Sequence, residues 1–173
     1  MTSIIWSDGD APEQLDELSV VLNGIAECYR QRIIVSTYPR TRERLGEAGI
    51  IFHPCVEFMK PLRFRDYVSL QMNARAVLSD SGTISEESPI LIMPASNNRD
   101  AHERPEAMEE ASVMLVGLNA ERAFQALDIL ADQGRGEKRL LYPADDYSCP
   151  NVSDKVLRLI VSYTNYVNQV VWH

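Results

Sequence analysis

One short turn of small polar residues is the best candidate for anion binding in this sequence. The apolar run at residues 76–79 ends in Asp80-Ser-Gly-Thr83, and a helical pattern follows at once. A turn that opens a helix directs backbone N–H groups and the positive end of the helix dipole at one point. Gly82 lets a phosphate approach the backbone closely, and Ser81 and Thr83 add hydroxyl donors. The pattern predicts a phosphate site, although such turns also follow strands in proteins that bind no phosphate.

The arginines suited to meet such an anion fall into three clusters, Arg40 with Arg42 and Arg44, Arg63 with Arg65, and Arg99 with Arg104. Arg40 and Arg104 stand at predicted helix starts, in the runs Ser36-Thr-Tyr-Pro-Arg-Thr-Arg42 and Ala101-His-Glu-Arg-Pro-Glu106. A guanidinium at either place can face a diphosphate, and the alternative is a solvated surface arginine. His102 is a candidate acid–base group, but a lone loop histidine is more often exposed or hydrogen-bonded.

Aromatic and acidic residues add binding groups rather than a catalytic set. In Pro61-Leu-Arg-Phe-Arg-Asp-Tyr67, either aromatic can stack on a base, although aromatics at helical spacing more often belong to the core. Glu109 and Glu110 are adjacent and do not face each other on a helix, so we do not assign them as an acid–base pair. The sequence has no G-x-S-x-G elbow, no P-loop and no G-x-G-x-x-G run.

The elements that must position these segments alternate along the chain. Short apolar runs predict strands at residues 3–6, 32–37, 50–52, 76–79, 94–97 and 113–116. Helical periodicity predicts helices at residues 12–29, 41–48, 65–73, 83–91, 105–111, 120–133 and 153–170. This alternation predicts an α/β fold with a doubly wound, parallel, Rossmann-like sheet. In such sheets ligands bind beyond the carboxyl ends of the strands, where the polar turn stands.

The last predicted helix is longer than one small domain needs. It keeps apolar residues to the very end of the chain, at Val170, Val171 and Trp172. Either it packs on its own sheet, or it docks against a partner domain or subunit.

Length, charge and hydropathy limit the classes of function. A chain of 173 residues fits one domain with a proper core. A net charge of −8 argues against nucleic-acid binding through a basic face, but not against a local site for a small anion. No run approaches the roughly 18 apolar residues of a membrane span, and residues 1–9 lack the pattern of a signal peptide. Three widely spaced cysteines, Cys28, Cys55 and Cys149, predict reduced thiols and no metal site in a cytoplasmic protein.

Three runs together resemble the non-hydrolysing UDP-N-acetylglucosamine 2-epimerase family. They are Val35-Ser-Thr-Tyr-Pro-Arg-Thr-Arg42, Leu78-Ser-Asp-Ser-Gly-Thr-Ile-Ser-Glu-Glu87 and His102-Glu-Arg-Pro-Glu106. The tail, Asn151-Val-Ser-Asp-Lys-Val and Ser162-Tyr-Thr-Asn-Tyr-Val-Asn-Gln-Val-Val-Trp172, resembles the capsule and O-antigen branch. Enzymes of that branch make UDP-N-acetyl-L-fucosamine from its talose epimer. The resemblance covers residues 11–173, and the order and spacing of its motifs are specific.

The resemblance implies the UDP-binding second domain of a two-domain, glycosyltransferase-B-like enzyme. The reaction it implies eliminates UDP to a glycal and adds it back with C2 inverted, without a metal or nicotinamide cofactor. By matched position it implies that UDP or a UDP-N-acetylhexosamine is bound by Arg40, Tyr67, Ser81, Gly82, Thr83, Glu87 and Arg104. In that assignment the Ser81 turn and Arg104 meet the diphosphate, Glu87 meets the ribose, and Tyr67 lies near the uracil.

Two departures from the family pattern limit what the resemblance implies. Tyr38 stands where the family usually has a histidine, and residues 6–10 replace a His-Arg-Glu-Glu segment. The acidic residues that transfer protons in the family belong to an N-terminal domain that residues 1–173 do not match. We therefore expect this chain alone to be inactive, and to need an N-terminal half or to self-associate through an exposed interdomain face. The alternatives are a non-catalytic nucleotide-binding or protein-interaction module and, less favoured, half of a glycosyltransferase.

Overall fold

The computed structural model describes residues 4–7, 12–37, 39–99, 101, 104, 106–139 and 141–172. The chain divides into two compact units, Met1–Pro143 and Ala144–His173. The first unit holds the sheet and the segments with candidate chemistry, and the second holds the C-terminal helix.

The first unit is built on a parallel sheet whose strand order is that of a doubly wound fold. The strands are β1 (Ile4–Ser7), β2 (Ile33–Ser36), β3 (Val56–Met59), β4 (Ala76–Ser79), β5 (Ala95–Asn97) and β6 (Met114–Leu115). Their order is β3-β2-β1-β4-β5-β6, and every pairing is parallel. The order reverses between β1 and β4, which is where sheets of this kind bind ligands. The predicted fold class is confirmed.

Helices connect these strands much as the periodicity predicts. In the first unit they are α1 (Pro12–Tyr29), α2 (Pro39–Glu47), α3 (Phe64–Asn73), α4 (Ile84–Leu91), α5 (Glu106–Glu109) and α6 (Ala120–Asp132). The second unit contains α7 (Asp145–Ser148), which was not predicted, and α8 (Val152–Val170). Among the described helices, none is long and apolar enough to cross a bilayer.

The strand predicted at residues 50–52 is wrong, because the third strand lies at Val56–Met59. The Asn23 carboxamide of α1 forms hydrogen bonds with backbone groups in and next to the segment at residues 50–52. Its Nδ2 donates to the Ile51 carbonyl at 3.0 Å, and its Oδ1 accepts from the His53 N–H at 2.7 Å. Those groups are then satisfied without a neighbouring strand, and the Ile51 side chain is 88% exposed.

Apolar residues on both faces of the sheet form two buried clusters. Leu22 and Ile25 of α1 and Leu127 of α6 pack on one face, together with Ala76 and Leu78 of β4. On the other face, Val77 of β4 packs with residues such as Ile84, Met93 and Val113. All four residues of β4 are buried. This strand is therefore held from both sides, and so is the point at which it ends.

The outer surface of α1 is also tied to α6. The Tyr29 hydroxyl donates to Asp128 Oδ1 at 2.8 Å, and the Arg75 guanidinium lies 5.2 Å from the centre of the Tyr29 ring. Burial, and then the hydrogen bond to Asp128, raise the pKa of Tyr29 to about 12.

The C-terminal helix α8 has no buried residue. Its exposed apolar side chains include Leu157, Leu159, Ile160, Val161 and Tyr163. Leu159, Ile160 and Tyr163 lie at the spacing of one apolar helix face, and all three are exposed.

Arg135, in the loop after α6, donates hydrogen bonds to the segment that joins α3 to β4. Arg135 Nη2 donates to the Ala74 carbonyl at 2.8 Å and to the Arg75 carbonyl at 2.7 Å. Burial lowers the pKa of Arg135, although the residue as a whole is exposed.

We expect Arg135→Met to lower the free energy of unfolding by about 1–3 kcal/mol, because it removes charged donors from two carbonyls. Methionine keeps much of the aliphatic stem, so the loss reports the hydrogen bonds. Denaturant unfolding measures it. The control is Arg122→Met, at an exposed residue whose guanidinium bonds Gln125 within the same helix. Equal stability of the two variants would contradict the role of Arg135.

Candidate functional site

A cleft of about 420 Å³ opens at the carboxyl edge of the sheet. Its lining combines hydroxyl, charged and apolar groups and comprises Ser36, Pro61, Leu62, Tyr67, Ser79, Asp80, Ser81, Thr83, Glu87 and Arg99. Ser36 ends β2, Ser79 ends β4, and Arg99 follows β5 by two residues. The cleft therefore lies where the parallel sheet predicts a ligand site.

The turn between β4 and α4 is shaped by local hydrogen bonds. The buried Ser79 hydroxyl accepts from the Ser81 N–H at 3.1 Å, and the Ser81 carbonyl accepts from the Ile84 N–H at 3.3 Å. Gly82 lies within this turn. Because α4 begins at Ile84, the turn sits at the positive end of the helix dipole. The turn therefore has the predicted position at the start of a helix, but the N–H groups of Ser81, Thr83 and Ile84 already donate to atoms of the protein.

Hydroxyl and carboxylate groups along the turn form a continuous chain of hydrogen bonds. Ser81 Oγ and Thr83 Oγ1 are 2.9 Å apart, and Thr83 Oγ1 donates to Glu87 Oε1 at 2.7 Å. The second carboxylate oxygen, Glu87 Oε2, accepts from Gln71 Nε2 of α3 at 2.9 Å. The chain fixes where the Glu87 carboxylate points and links it to the turn.

Tyr67 belongs both to the cleft and to the core. It lies on α3, lines the cleft, and is a half-buried residue packed against the second apolar cluster. The two interpretations of this aromatic are therefore compatible. The other aromatic candidate, Phe64, is 81% exposed and does not line the cleft.

The predicted arginines are placed differently from one another. Arg104 forms an ion pair with Glu86 in the first turn of α4, and it does not line the cleft. Arg40 lies in α2, but its side chain is outside the described residues, as are Tyr38 and His102. The cleft thus brings together Tyr67, Ser81, Thr83 and Glu87 of the predicted set.

Arg99 is a lining residue that the sequence analysis did not select. Arg99 shares a cluster with Arg104 in the sequence, and the helix start beside Arg104 favours Arg104 as the anion ligand. The better signal was that Arg99 stands two residues beyond a predicted strand, as Ser81 does. Asp80, Ser36, Pro61 and Leu62 also line the cleft; they stand in the motifs quoted above but are not among the predicted binding residues.

Two buried polar side chains at this edge of the sheet have atoms that make no hydrogen bond with the described residues. Thr37 follows β2 and Asn98 follows β5, and both are buried. Within the described part of the chain, Thr37 Oγ1 and both amide atoms of Asn98 lack a hydrogen-bond partner. No group of three or more metal-ligating side chains occurs among the described residues. Thr37 and Asn98 each adjoin a residue that lines the cleft, Ser36 and Arg99 respectively.

Comparison with known proteins assigns the chain to a family. The family described as UDP-N-acetylglucosamine 2-epimerase matches residues 7–161. The chain belongs to this family.

Related 2-epimerases match the chain in both sequence and fold. The enzyme of Methanocaldococcus jannaschii is 33% identical over 133 residues, which is 75% of this chain and 36% of the relative. The structure of the Rickettsia bellii 2-epimerase superposes with a TM-score of 0.87 at 39% identity, covering 99% of this chain and 47% of that one. A structure of the M. jannaschii enzyme in complex with UDP-GlcNAc and UDP superposes with a TM-score of 0.80 at 26% identity, covering 93% and 45%.

The chain therefore spans about a third to a half of the length of the 2-epimerases that it matches. Its fold corresponds to one half of their glycosyltransferase-B-like architecture.

Ser79 gives a direct test of how the turn of this 2-epimerase domain is held. We expect Ser79→Ala to lower the free energy of unfolding by about 1–2 kcal/mol, because the Ser81 N–H loses its acceptor. Hydrogen exchange at the Ser81 amide should become faster. The control is Ser69→Ala, at an exposed position of α3. Unchanged Ser81 exchange in the Ser79 variant would show that the turn does not depend on this hydroxyl.

Proposed function

We propose that residues 1–173 are the UDP-binding half of a UDP-N-acetylhexosamine 2-epimerase. The observation that carries the proposal is the cleft itself. It joins a hydroxyl-bearing helix start, an aromatic ring, two carboxylates and a guanidinium within one set of lining residues. Family membership gives the nucleotide, since a relative is described in complex with UDP-GlcNAc and UDP.

The diphosphate binds at the turn that opens α4. Ser81, Gly82 and Thr83 surround it, and the helix dipole favours its charge. The lining residues carry two carboxylates, Asp80 and Glu87, and one guanidinium, Arg99. Arg99 is therefore the cation of the described lining that offsets part of the diphosphate charge, and Arg40 adds to it from α2.

Arg104 acts on the phosphate side through Glu86. A carboxylate in the first turn of α4 repels an anion bound at the same helix end. The ion pair with Arg104 offsets that charge. Arg104 thereby reduces the repulsion between Glu86 and an anion bound at the start of α4.

Uridine occupies the remainder of the cleft. Uracil stacks on Tyr67, and Glu87 accepts hydrogen bonds from the ribose hydroxyls. Ionised carboxylate oxygens accept more than one hydrogen bond each, so Glu87 can bind ribose and keep its protein partners. The leaving UDP is then stabilised by the helix start as the bond to the sugar breaks.

The reaction eliminates UDP to a glycal and adds it back with inversion at C2, and its proton-transfer groups come from the other half of the enzyme. That half corresponds to the part of the relatives that these residues do not match. It docks, or a second copy docks, on the exposed interdomain face, and the apolar side chains of α8 offer such a surface. The alternative is a non-catalytic nucleotide-binding or interaction module that uses the same helix.

We extend the proposal to the sugar and to the biosynthetic setting on the basis of the finer resemblance. The tail motifs favour the UDP-N-acetyl-L-fucosamine branch, and with it precursor synthesis for bacterial surface polysaccharides in the cytoplasm. We expect UDP-N-acetyl-L-fucosamine and its talose epimer to compete with UDP more effectively than UDP-GlcNAc does.

Calorimetric titration tests whether the cleft binds UDP. We expect saturable binding that Arg99→Ala weakens by about tenfold to a hundredfold, the effect of losing a charged hydrogen bond. Binding of uridine, which lacks phosphate, should change little in the same variant. The control is Arg122→Ala, on the exposed face of α6. No binding at millimolar UDP would overturn the proposed site, and equal losses for UDP and uridine would reject Arg99 as a diphosphate ligand.

Mixing experiments test the division of the enzyme. We expect no epimerisation by residues 1–173 alone, because a site lacking one wall loses orientation effects worth about 7–11 kcal/mol. Adding the half of the R. bellii enzyme that this chain does not match should restore C2 exchange, measured by NMR in deuterated water. Turnover by residues 1–173 alone would reject the half-enzyme proposal. Failure of every combination, with UDP binding intact, would favour the interaction module.

A further inference from the structure

A buried carboxamide stands behind the carboxylate of the cleft. Gln71 of α3 is 1% exposed, although glutamine is rarely buried so completely. Its Nε2 donates to Glu87 Oε2 at 2.9 Å, across 16 residues of sequence. Gln71 does not line the cleft. It therefore acts on a ligand, if at all, through Glu87.

The contacts of Glu87 leave its carboxylate little freedom to rotate. Thr83 donates to one oxygen and Gln71 to the other, so the plane of the carboxylate is set from two sides. The Gln71 amide nitrogen can only donate, and an ionised carboxylate can only accept. The direction of this hydrogen bond is fixed, whereas the Thr83 hydroxyl can rotate toward another acceptor. Gln71 is thus the more rigid of the two supports.

An apolar side chain of similar volume would fill the same space without the cost of burying an amide. Tyr67 and Leu70, on the same helix, pack against the second apolar cluster, and so does Leu91 of α4. Burying an amide there is favourable only when its hydrogen bonds are made. The bond to Glu87 explains the choice of glutamine in terms of the cleft.

We propose that Gln71 is a positioning residue that makes the cleft selective for ribonucleotides by holding Glu87 in line with the ribose hydroxyls. The proposal rests on the proposed function, in which Glu87 meets the ribose. Tyr67 and Gln71 are four residues apart on α3 and face the same side. One helix then contributes both to uracil binding, through Tyr67, and to ribose binding, through Gln71 and Glu87. A shift of Glu87 would cost the ribose contact and leave stacking and diphosphate binding in place.

The test compares UDP with 2′,3′-dideoxy-UDP, which lacks both ribose hydroxyls. We expect the unaltered chain to bind UDP about tenfold to a hundredfold more tightly than the dideoxy compound, as for hydrogen bonds to a charged group. Gln71→Met preserves volume and removes the donor. It should bring the ratio of the two affinities close to one, mainly by weakening UDP. A purely structural role would weaken both ligands equally and leave the ratio unchanged.

The matched control is Asn73→Met, which removes a carboxamide two positions away on the same helix. Asn73 is exposed and donates to the Ser69 carbonyl within α3. Its substitution should leave the affinity ratio at the value of the unaltered chain.

A second variant keeps the proposal testable if Gln71→Met folds poorly. Gln71→Glu places two carboxyl groups together at a buried position, and such a pair keeps one shared proton to higher pH than a free carboxyl does. While that proton is held, the introduced carboxyl donates as the amide did. In a titration from pH 5 to pH 10, we expect discrimination against the dideoxy compound at the acid end and its loss as the pair gives up the proton. Phosphate titration affects both ligands alike, so the ratio isolates the ribose contact.

The possible outcomes distinguish a failure of the Gln71 inference from a failure of the proposed UDP-binding function. Absence of UDP binding by the unaltered chain overturns both. Equal binding of UDP and the dideoxy compound by the unaltered chain overturns the ribose contact and the role of Gln71, and leaves a diphosphate site standing. Discrimination that survives in Gln71→Met, or that is independent of pH in Gln71→Glu, overturns the role of Gln71 alone.

Discussion

The burial of β4 on both faces is the constraint on which the rest of the first unit depends. Its alternating side chains enter the two apolar clusters, so the strand cannot shift without disturbing both. Its end at Ser79 therefore lies at a fixed point, and Ser79 in turn holds the N–H of Ser81. The core thereby gives a defined position to a turn of small residues, which have little order of their own.

Support for the cleft comes from several elements, each fastened by a polar contact. Arg135 secures the junction from α3 to β4, and Gln71 connects α3 to α4 through Glu87. Arg104 offsets a charge at the start of α4. Arg135, Gln71 and Arg104 do not line the cleft themselves. They form hydrogen bonds or ion pairs with α3, β4 or α4, the elements around it. The cleft is thus a property of the packed α3, β4 and α4 as a group.

The sequence predicted this group well where local patterns decide structure. The run Ala76–Ser79 is apolar without alternation, as a strand buried on both faces must be, and its predicted bounds are those observed. The third strand was misplaced because Asn23, distant in sequence, satisfies the backbone near Ile51. Gln71 and Arg99 escaped selection for a similar reason. Their roles depend on which helices and strand ends meet, and helical or strand periodicity does not contain that information.

The two edges of the sheet carry a further consequence for solubility. An edge strand exposes backbone groups that can pair with another chain, which is a route to aggregation. At one edge, β3 bears Glu57, whose carboxylate accepts two hydrogen bonds from Arg32. At the other edge, β6 has two residues and offers little backbone to a neighbour. Charge at one edge and brevity at the other both oppose sheet-to-sheet association. Glu57 is thus suited to a strand that stays unpaired on one side.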